Sequence, residues 1–265
     1  MTTHPATAPA DAGAPRAVLS ARGLTKRFGP FLAVNNVDID VCHGRIHALI
    51  GPNGAGKSTV FNLLTKFLKP TAGRIVLDGT DITAMDPASV ARMGMVRSFQ
   101  ISATFGDMTL LDNVRVALQR PNNLSRQFWR SLISLDRLNR QAMELLDRVG
   151  LADMAHLRAN NLSYGRKRAL EIATTLALEP RVLLLDEPLA GMGQEDVEHM
   201  AKLIKTVSRD CALLMVEHNL KVVGDIGDDI TVLQRGEILA RGDYATVSAD
   251  PRVREAYMGS EDDSH

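Results

Sequence analysis

The residues best suited to chemistry form one short stretch, Gly51-Pro52-Asn53-Gly54-Ala55-Gly56-Lys57-Ser58-Thr59. It fits GxxxxGK[ST], and each residue type has a physical reason. Glycines let successive backbone N–H groups turn inward around phosphate oxygens. Lys57 is placed to reach the β and γ phosphates, and the Ser58 hydroxyl to coordinate Mg²⁺. A helix starting at the loop's end adds a partial positive charge. The loop therefore predicts nucleotide binding and stops there, because kinases, GTPases and many ATPases share it.

A second acidic feature narrows the chemistry. Val182 to Leu185 is an apolar run that ends in Asp186-Glu187-Pro188. In an open parallel sheet, ligands bind at the carboxyl ends of strands. That places Asp186 near the Mg²⁺ held by Ser58. Glu187 is then the general base that orients and polarises the attacking water, so that one carboxylate serves the metal and the other the proton. Read alone, the same pair could be an acidic turn or helix start.

The elements that position these residues follow from the hydrophobic pattern. Val37, Ile39 and Val41 alternate with Asp38 and Asp40, which predicts a half-buried strand. Arg45 to Ile50 has no alternation, as expected of a strand buried on both faces. Lys57 to Leu68 has a helical stripe, and Arg74 to Leu77 with the turn Asp78-Gly79 predicts a hairpin edge. From Thr109 to about Asn160 the pattern turns helical, with helices expected at Val114–Gln119, Ser131–Val149 and Asp153–Leu157. Helix and strand then alternate: Tyr164–Leu178, Val182–Leu185, Gln194–Ser208, Ala212–Val216, Leu220–Gly224 and Ile230–Leu233. The order predicts an α/β fold: a P-loop core with a mostly parallel sheet, an antiparallel β portion and a helical insertion.

Composition sets the outer bounds. The 265 residues are 45% hydrophobic, enough for a real core. Lys plus Arg and Asp plus Glu are both 31, so no basic footprint for nucleic acid is visible in the totals. The longest apolar runs fall far short of the roughly 18 residues needed to span a bilayer. Cys42 and Cys211, each beside strand-like sequence, read as buried free thiols in a reducing compartment. Residues 1–16, rich in Ala, Pro and Thr, are expected to be a disordered tail without a signal peptide.

One further pairing identifies the family. Leu162-Ser163-Tyr164-Gly165 stands about twenty residues before Asp186-Glu187. It resembles the signature sequence of the ATP-binding-cassette family, usually LSGGQ or LSYGQ, and the resemblance spans Val18 to about Gly259. By that resemblance Gln100 is the Q-loop residue, His218 the switch histidine, Phe28 the aromatic that stacks on adenine, and Gly191-Met192-Gly193 the D-loop. Each residue alone has a plainer reading: Phe28 a core aromatic, Gln100 a solvated residue, His218 a structural histidine, Ser163 an N-cap. Two departures stand out. Arg166 replaces the usual Gln, so the helix opens with Arg166-Lys167-Arg168, against its dipole. Gly193 stands where Asp or Asn is usual.

The resemblance implies one nucleotide-binding domain over residues 17–265, with a helical subdomain at about 101–165 between portions 17–100 and 166–265. It implies ATP and Mg²⁺ as ligands, with the metal at Ser58, Gln100 and Asp186. Glu187 would activate water, with His218 and Gln100 beside it. ATP would lie between one subunit's Gly51–Thr59 loop and a second subunit's Ser163–Gly165. Transport would need separate permease subunits and, through them, a substrate-binding protein, with this chain peripheral to the cytoplasmic face of the inner membrane. Arg97-Ser98-Phe99-Gln100, Val216-Glu217-His218-Asn219 and the run from Asp250 to Gly259 resemble the branched-chain amino-acid uptake ATPases. Urea or short-amide importers, lipopolysaccharide-export ATPases and soluble non-transport cassettes are the alternatives. The Gln100–Met108 segment, rather than Trp129, is the expected permease contact.

Overall fold

Alternation in the first hundred residues builds an antiparallel sheet. The computed structural model describes residues 16–98, 104–120, 133–218 and 220–258. Strands β1 (Ala17–Phe28) and β2 (Phe31–Cys42) form a long hairpin, and β1 also pairs with β4 (Ala72–Leu77). Strand β5 (Thr80–Asp81) closes the edge through the expected turn, where Asp78 and Gly79 both have positive φ. Along β2, Val37, Ile39 and Val41 are buried and Asp38 is exposed.

The second sheet has the order β10-β9-β3-β8-β7-β6. Strands β3 (Ile46–Ile50), β6 (Met95–Arg97), β7 (Val182–Asp186), β8 (Ala212–Val216) and β9 (Asp229–Gln234) run parallel. Strand β10 (Glu237–Gly242) adds an antiparallel edge. Every residue of β3, β7 and β8 is buried. Alternate side chains serve different cores. Ile46, Ala48, Ile50, Leu183, Leu185, Leu213 and Met215 join the core under the helices. Leu49, Val182, Leu184, Leu214 and Val216 join the core shared with the antiparallel sheet.

Helix α1 (Lys57–Leu64) belongs to that second core, and short α2 (Pro87–Arg92) packs beside β6. Helices α3 (Leu110–Leu118), α4 (Ile133–Arg148), α5 (Tyr164–Leu176) and α6 (Gln194–Val207) pack on the first core. Helices α7 (Leu220–Ile226), α8 (Tyr244–Ala249) and α9 (Pro251–Met258) complete it. Among the described residues no helix is long and apolar enough to cross a membrane.

Three local expectations are corrected. Asp153–Leu157 is not a helix but a single 3₁₀ turn at Ala152–Met154 followed by a turn and a bend. The carbonyls of Ala155 and Leu157 instead accept from the N–H groups of Leu111 and Leu110, so this stretch seals the start of α3. Helix α1 stops at Leu64 rather than Leu68, because Lys66 turns left-handed at φ 67° and Leu68 N–H returns to Asn62 O. Cys211 is buried, whereas Cys42 is half-buried.

Candidate functional site

The topology brings the chemistry-bearing residues to adjacent strand ends. The Gly51–Thr59 loop leaves β3, Glu217-His218 follows β8, Asp186 closes β7, and Arg97 closes β6. In sheet order β3, β8, β7 and β6 are neighbours, so four carboxyl ends line one rim.

The loop's glycines are demanded by close approach. A Cβ on Gly51 would lie 2.2 Å from the Leu233 carbonyl, and one on Gly56 2.9 Å from the Ala33 carbonyl. Their φ values are 152° and 102°, which L side chains rarely adopt. The loop is also laced to the β9–β10 turn, where Gly236 N–H donates to Ala55 O at 2.9 Å. Gly51, Ala55 and Lys57 are buried, Pro52, Gly56 and Thr59 half-buried, and Asn53, Gly54 and Ser58 exposed. Tyr257 on α9 points its buried hydroxyl at the Gly51 backbone, tying the C-terminal segment to the loop.

Lys57 donates to the carbonyls of Gly51 at 2.5 Å and Pro52 at 3.0 Å. Burial pushes its ammonium below the usual lysine range, against the pull of Glu187 and Glu217. Asp186 is held by Arg97, 3.0 Å from Arg97 Nη2 to Asp186 Oδ2. Burial raises its carboxyl, and the Arg97 guanidinium counters that rise. Glu187 is half-buried, turns left-handed at φ 47°, and anchors its N–H on Val216 O at 3.0 Å. That turn swings it off the end of β7 and across β8.

Glu217 is a site residue that the sequence analysis left unassigned. It is 2% exposed, and its Oε1 accepts from Leu189 N–H at 3.1 Å. Its Oε2 lies 3.9 Å from His218 Nδ1, and burial raises its carboxyl. His218 itself is mostly exposed. The signal was present in Val216-Glu217-His218: a carboxylate directly after a strand buried along its whole length is a candidate for burial at the strand end. Arg97 also went unassigned, as its partner is 89 positions away.

Phe28 is not a core aromatic. It is 45% exposed at the end of β1, with Lys26 Nζ 5.0 Å from its ring centre, and pairs in register with exposed Phe31. Ala33 and Val34, just beyond, touch Gly56 and Gly236, so the hairpin tip stands beside the loop. Ser163 takes the N-cap position of α5, yet its side chain makes no capping bond and is exposed. Gly165 is buried where a Cβ would strike the Asp196 carboxylate at 2.7 Å. Neither Ser163 nor Gly165 bonds to the Gly51–Thr59 loop of its own chain. Arg168 pairs with Glu171 at 2.8 Å, while Arg166 is exposed. Gly191 has φ 74° and Gly193 caps α6. Gln100 and Trp129 lie outside the described residues.

The donor set is that of a hard, sparsely ligated cation. Ser58 and Asp186 offer oxygen only, and the described residues hold no cluster of three His, Cys, Asp or Glu side chains suited to a metal. Mg²⁺ is bound in this way in phosphate sites, through one or two protein oxygens plus substrate phosphates and water.

The ABC transporter family pattern matches residues 34–190, more than half of the chain. This chain belongs to the ABC transporter family. A second pattern, "branched-chain amino acid ATP-binding cassette transporter", matches residues 237–263 of the cassette. The chain is 40% identical to the high-affinity branched-chain amino acid transport ATP-binding protein BraF of Pseudomonas aeruginosa, over 92% of this chain and 98% of BraF. It is 39% identical to LivG of Escherichia coli, over 91% of this chain and 98% of LivG. The crystal structure of an ABC transporter's ATP-binding cassette in its ADP conformation superposes with a TM-score of 0.80 at 29% identity. That match covers 92% of this cassette and 99% of the other.

A groove of about 600 Å³ opens on the helical side of the cassette. Phe67, Ala91, Arg97, Phe105, Val116 and Thr174 line it, bringing α2, α3 and α5 together.

Proposed function

We propose that this cassette is the ATP-hydrolysing subunit of an importer for branched-chain amino acids, peripheral to the inner face of the membrane. The convergence of Lys57, Asp186, Glu187 and Glu217-His218 on adjacent strand ends carries the ATPase reading. The match over residues 237–263 and the names borne by BraF and LivG support the substrate.

The placement of these residues supports the following roles. Exposed Ser58 and the N–H groups of Gly54, Gly56 and Thr59 present donors to phosphate, while the Ala55 N–H closes the loop on Pro52 O and Asn53 and Pro52 shape the approach. Lys57 exchanges the Gly51 and Pro52 carbonyls for phosphate oxygens. Phe28 offers its face to adenine. Ser58 and Asp186 hold Mg²⁺, with Gln100 as a further ligand. When bound, Mg²⁺ neutralises charge developing on the phosphates. Glu187 accepts the proton of the attacking water, and His218 orients the γ-phosphate. The exposed Ser163 hydroxyl, free of its capping duty, and Gly165 complete the ATP site of a second cassette.

We read 17–265 as one unit whose helical part, at about 101–165, contributes Phe105, Asn113 and Val116 to the groove. We assign the groove to a short cytoplasmic helix of a permease, contacted through the segment ending at Met108, where Phe105 is 54% exposed. A binding protein delivers substrate to that permease. The test is reconstitution in vesicles. Leucine, isoleucine or valine should drive ATP hydrolysis when the binding protein is added. A complex that hydrolyses ATP without response to these amino acids, yet responds to another solute, rejects the substrate and keeps the ATPase.

A further inference from the structure

Arg97 stands where the groove and the carboxylate rim meet. Its Nη2 donates to Asp186 Oδ2 at 3.0 Å, and its Nη1 to Asn62 Oδ1 at 2.8 Å. Its guanidinium lies over two rings, 4.6 Å from the centre of Phe61 and 5.5 Å from that of Phe67. Phe61 is wholly buried, whereas Phe67 is 55% exposed. Arg97 and Phe67 both line the groove. One planar group thus touches the groove through an exposed ring and the site through an ion pair.

The geometry makes this contact consequential. A guanidinium fixed by two directional bonds and two ring faces has little freedom of its own. A body that presses on Phe67 must either leave it in place or tilt the guanidinium with it. At the other end Asp186 is 7% exposed, and the cations facing it are Arg97 and Arg168, with Glu187 opposing. A buried carboxylate that loses its one directly bonded cation keeps only the more distant Arg168, so its position is sensitive to Arg97. Arg97 thus occupies Asp186 Oδ2.

We propose that Arg97 is a positioning residue that relays occupancy of the groove to Asp186, and so sets how strongly Mg²⁺ improves ATP binding. The relay rests on the reading that the groove receives a permease helix. Linkage makes it reciprocal: Mg²⁺–ATP must alter permease affinity by the same factor.

The first measurement uses the purified full chain and a fluorescent ATP analogue, titrated with Mg²⁺ or with EDTA. Arg97→Met keeps an unbranched, apolar stem beside the rings but removes the guanidinium and with it every donor. Its affinity in EDTA should stay within about twofold of wild type, while the gain brought by Mg²⁺ falls by about fivefold or more. The second measurement uses the transporter complex purified through a tag on this chain, with Phe105→Cys crosslinking to the permease reporting occupancy of the groove. In wild type the Mg²⁺-dependent gain should differ between complex and free chain. Arg97→Met and Phe67→Ala should each erase that difference while the crosslink persists. Phe67 is exposed enough that its truncation spares the fold, so it decides the matter if Arg97→Met does not fold. An unchanged Mg²⁺ gain in Arg97→Met overturns the relay, as does a preserved difference in Phe67→Ala with the crosslink in place. A missing crosslink in a complex that binds ATP normally overturns the groove reading and the relay with it.

Discussion

At the scale of single residues, the roles proposed for the rim separate holding from reacting. Lys57 sits among the loop carbonyls after β3 and Glu187 at the end of β7, two strands along the same rim, so their variants should fail differently. Lys57→Ala should lose ATP affinity. Glu187→Gln should bind ATP as wild type does and turn over about 10²–10⁴-fold more slowly. Equilibrium binding beside steady-state hydrolysis checks both, and a Glu187→Gln protein at wild-type turnover would refute the base. Glu217 gives a different readout. Burial holds its carboxyl above the ordinary glutamate range, so the folded protein keeps that proton to higher pH than the unfolded chain. Stability linked to the neutral acid is whole below the ordinary range and is lost as pH rises through the raised value. Glu217→Gln is neutral throughout and can still accept from Leu189 N–H. Its melting temperature should match wild type in acid and exceed it increasingly as pH rises above the ordinary glutamate range, by about 2–4 °C per kcal/mol recovered. Melting curves across pH check this; a gap that narrows as pH rises would contradict it. These residues also show what a sequence discloses. The Gly51–Thr59 loop is legible because its chemistry is local. The Arg97–Asp186 pair is not, because folding alone brings together residues 89 positions apart.

Among the elements, strands placed the site and glycines allowed it. The buried runs of β3, β7 and β8 were readable, since strands covered on both faces need no polar alternation. Strand β1 was less so: its register shifts at three points past Ala21 break the two-residue period. Short α2 and the C-terminal pair α8 and α9 leave too little periodicity to read, although Asp86 and Asp243 cap α2 and α8 through side-chain bonds to Ser89 and Thr246. The expectation at Asp153–Leu157 failed for another reason, because its carbonyls are claimed by α3. The hairpin tip offers a test. Phe28→Ala removes an exposed ring and should leave the melting temperature within a degree or two. It should weaken ATP binding by about 5–150-fold, the range of one base–aromatic stack. A parallel titration of Phe31→Ala checks which ring serves, and an effect confined to Phe31 would reassign the platform.

For the whole molecule, the exposed Ser163 and Arg166 at the start of α5 face outward from a chain whose own loop they do not bond. Arg166→Ala should therefore weaken ATP-driven pairing of Glu187→Gln cassettes and leave nucleotide binding by the single cassette unaltered. Size-exclusion across a salt series checks it; equal pairing at every salt would make Arg166 a solvated charge. The central sheet bears on how such events are felt within one chain. Leu184 belongs to the core of α1 and the antiparallel sheet, and Leu185 to the core of the helices. Truncating either costs about 2–5 kcal/mol. Yet the two neighbours, joined by one peptide bond, report to opposite rooms of the molecule. The sheet is a party wall: whatever shifts a strand end by a fraction of an ångström is delivered at once to the tenants on both sides, the loop that grips phosphate and the helices that meet the outside world.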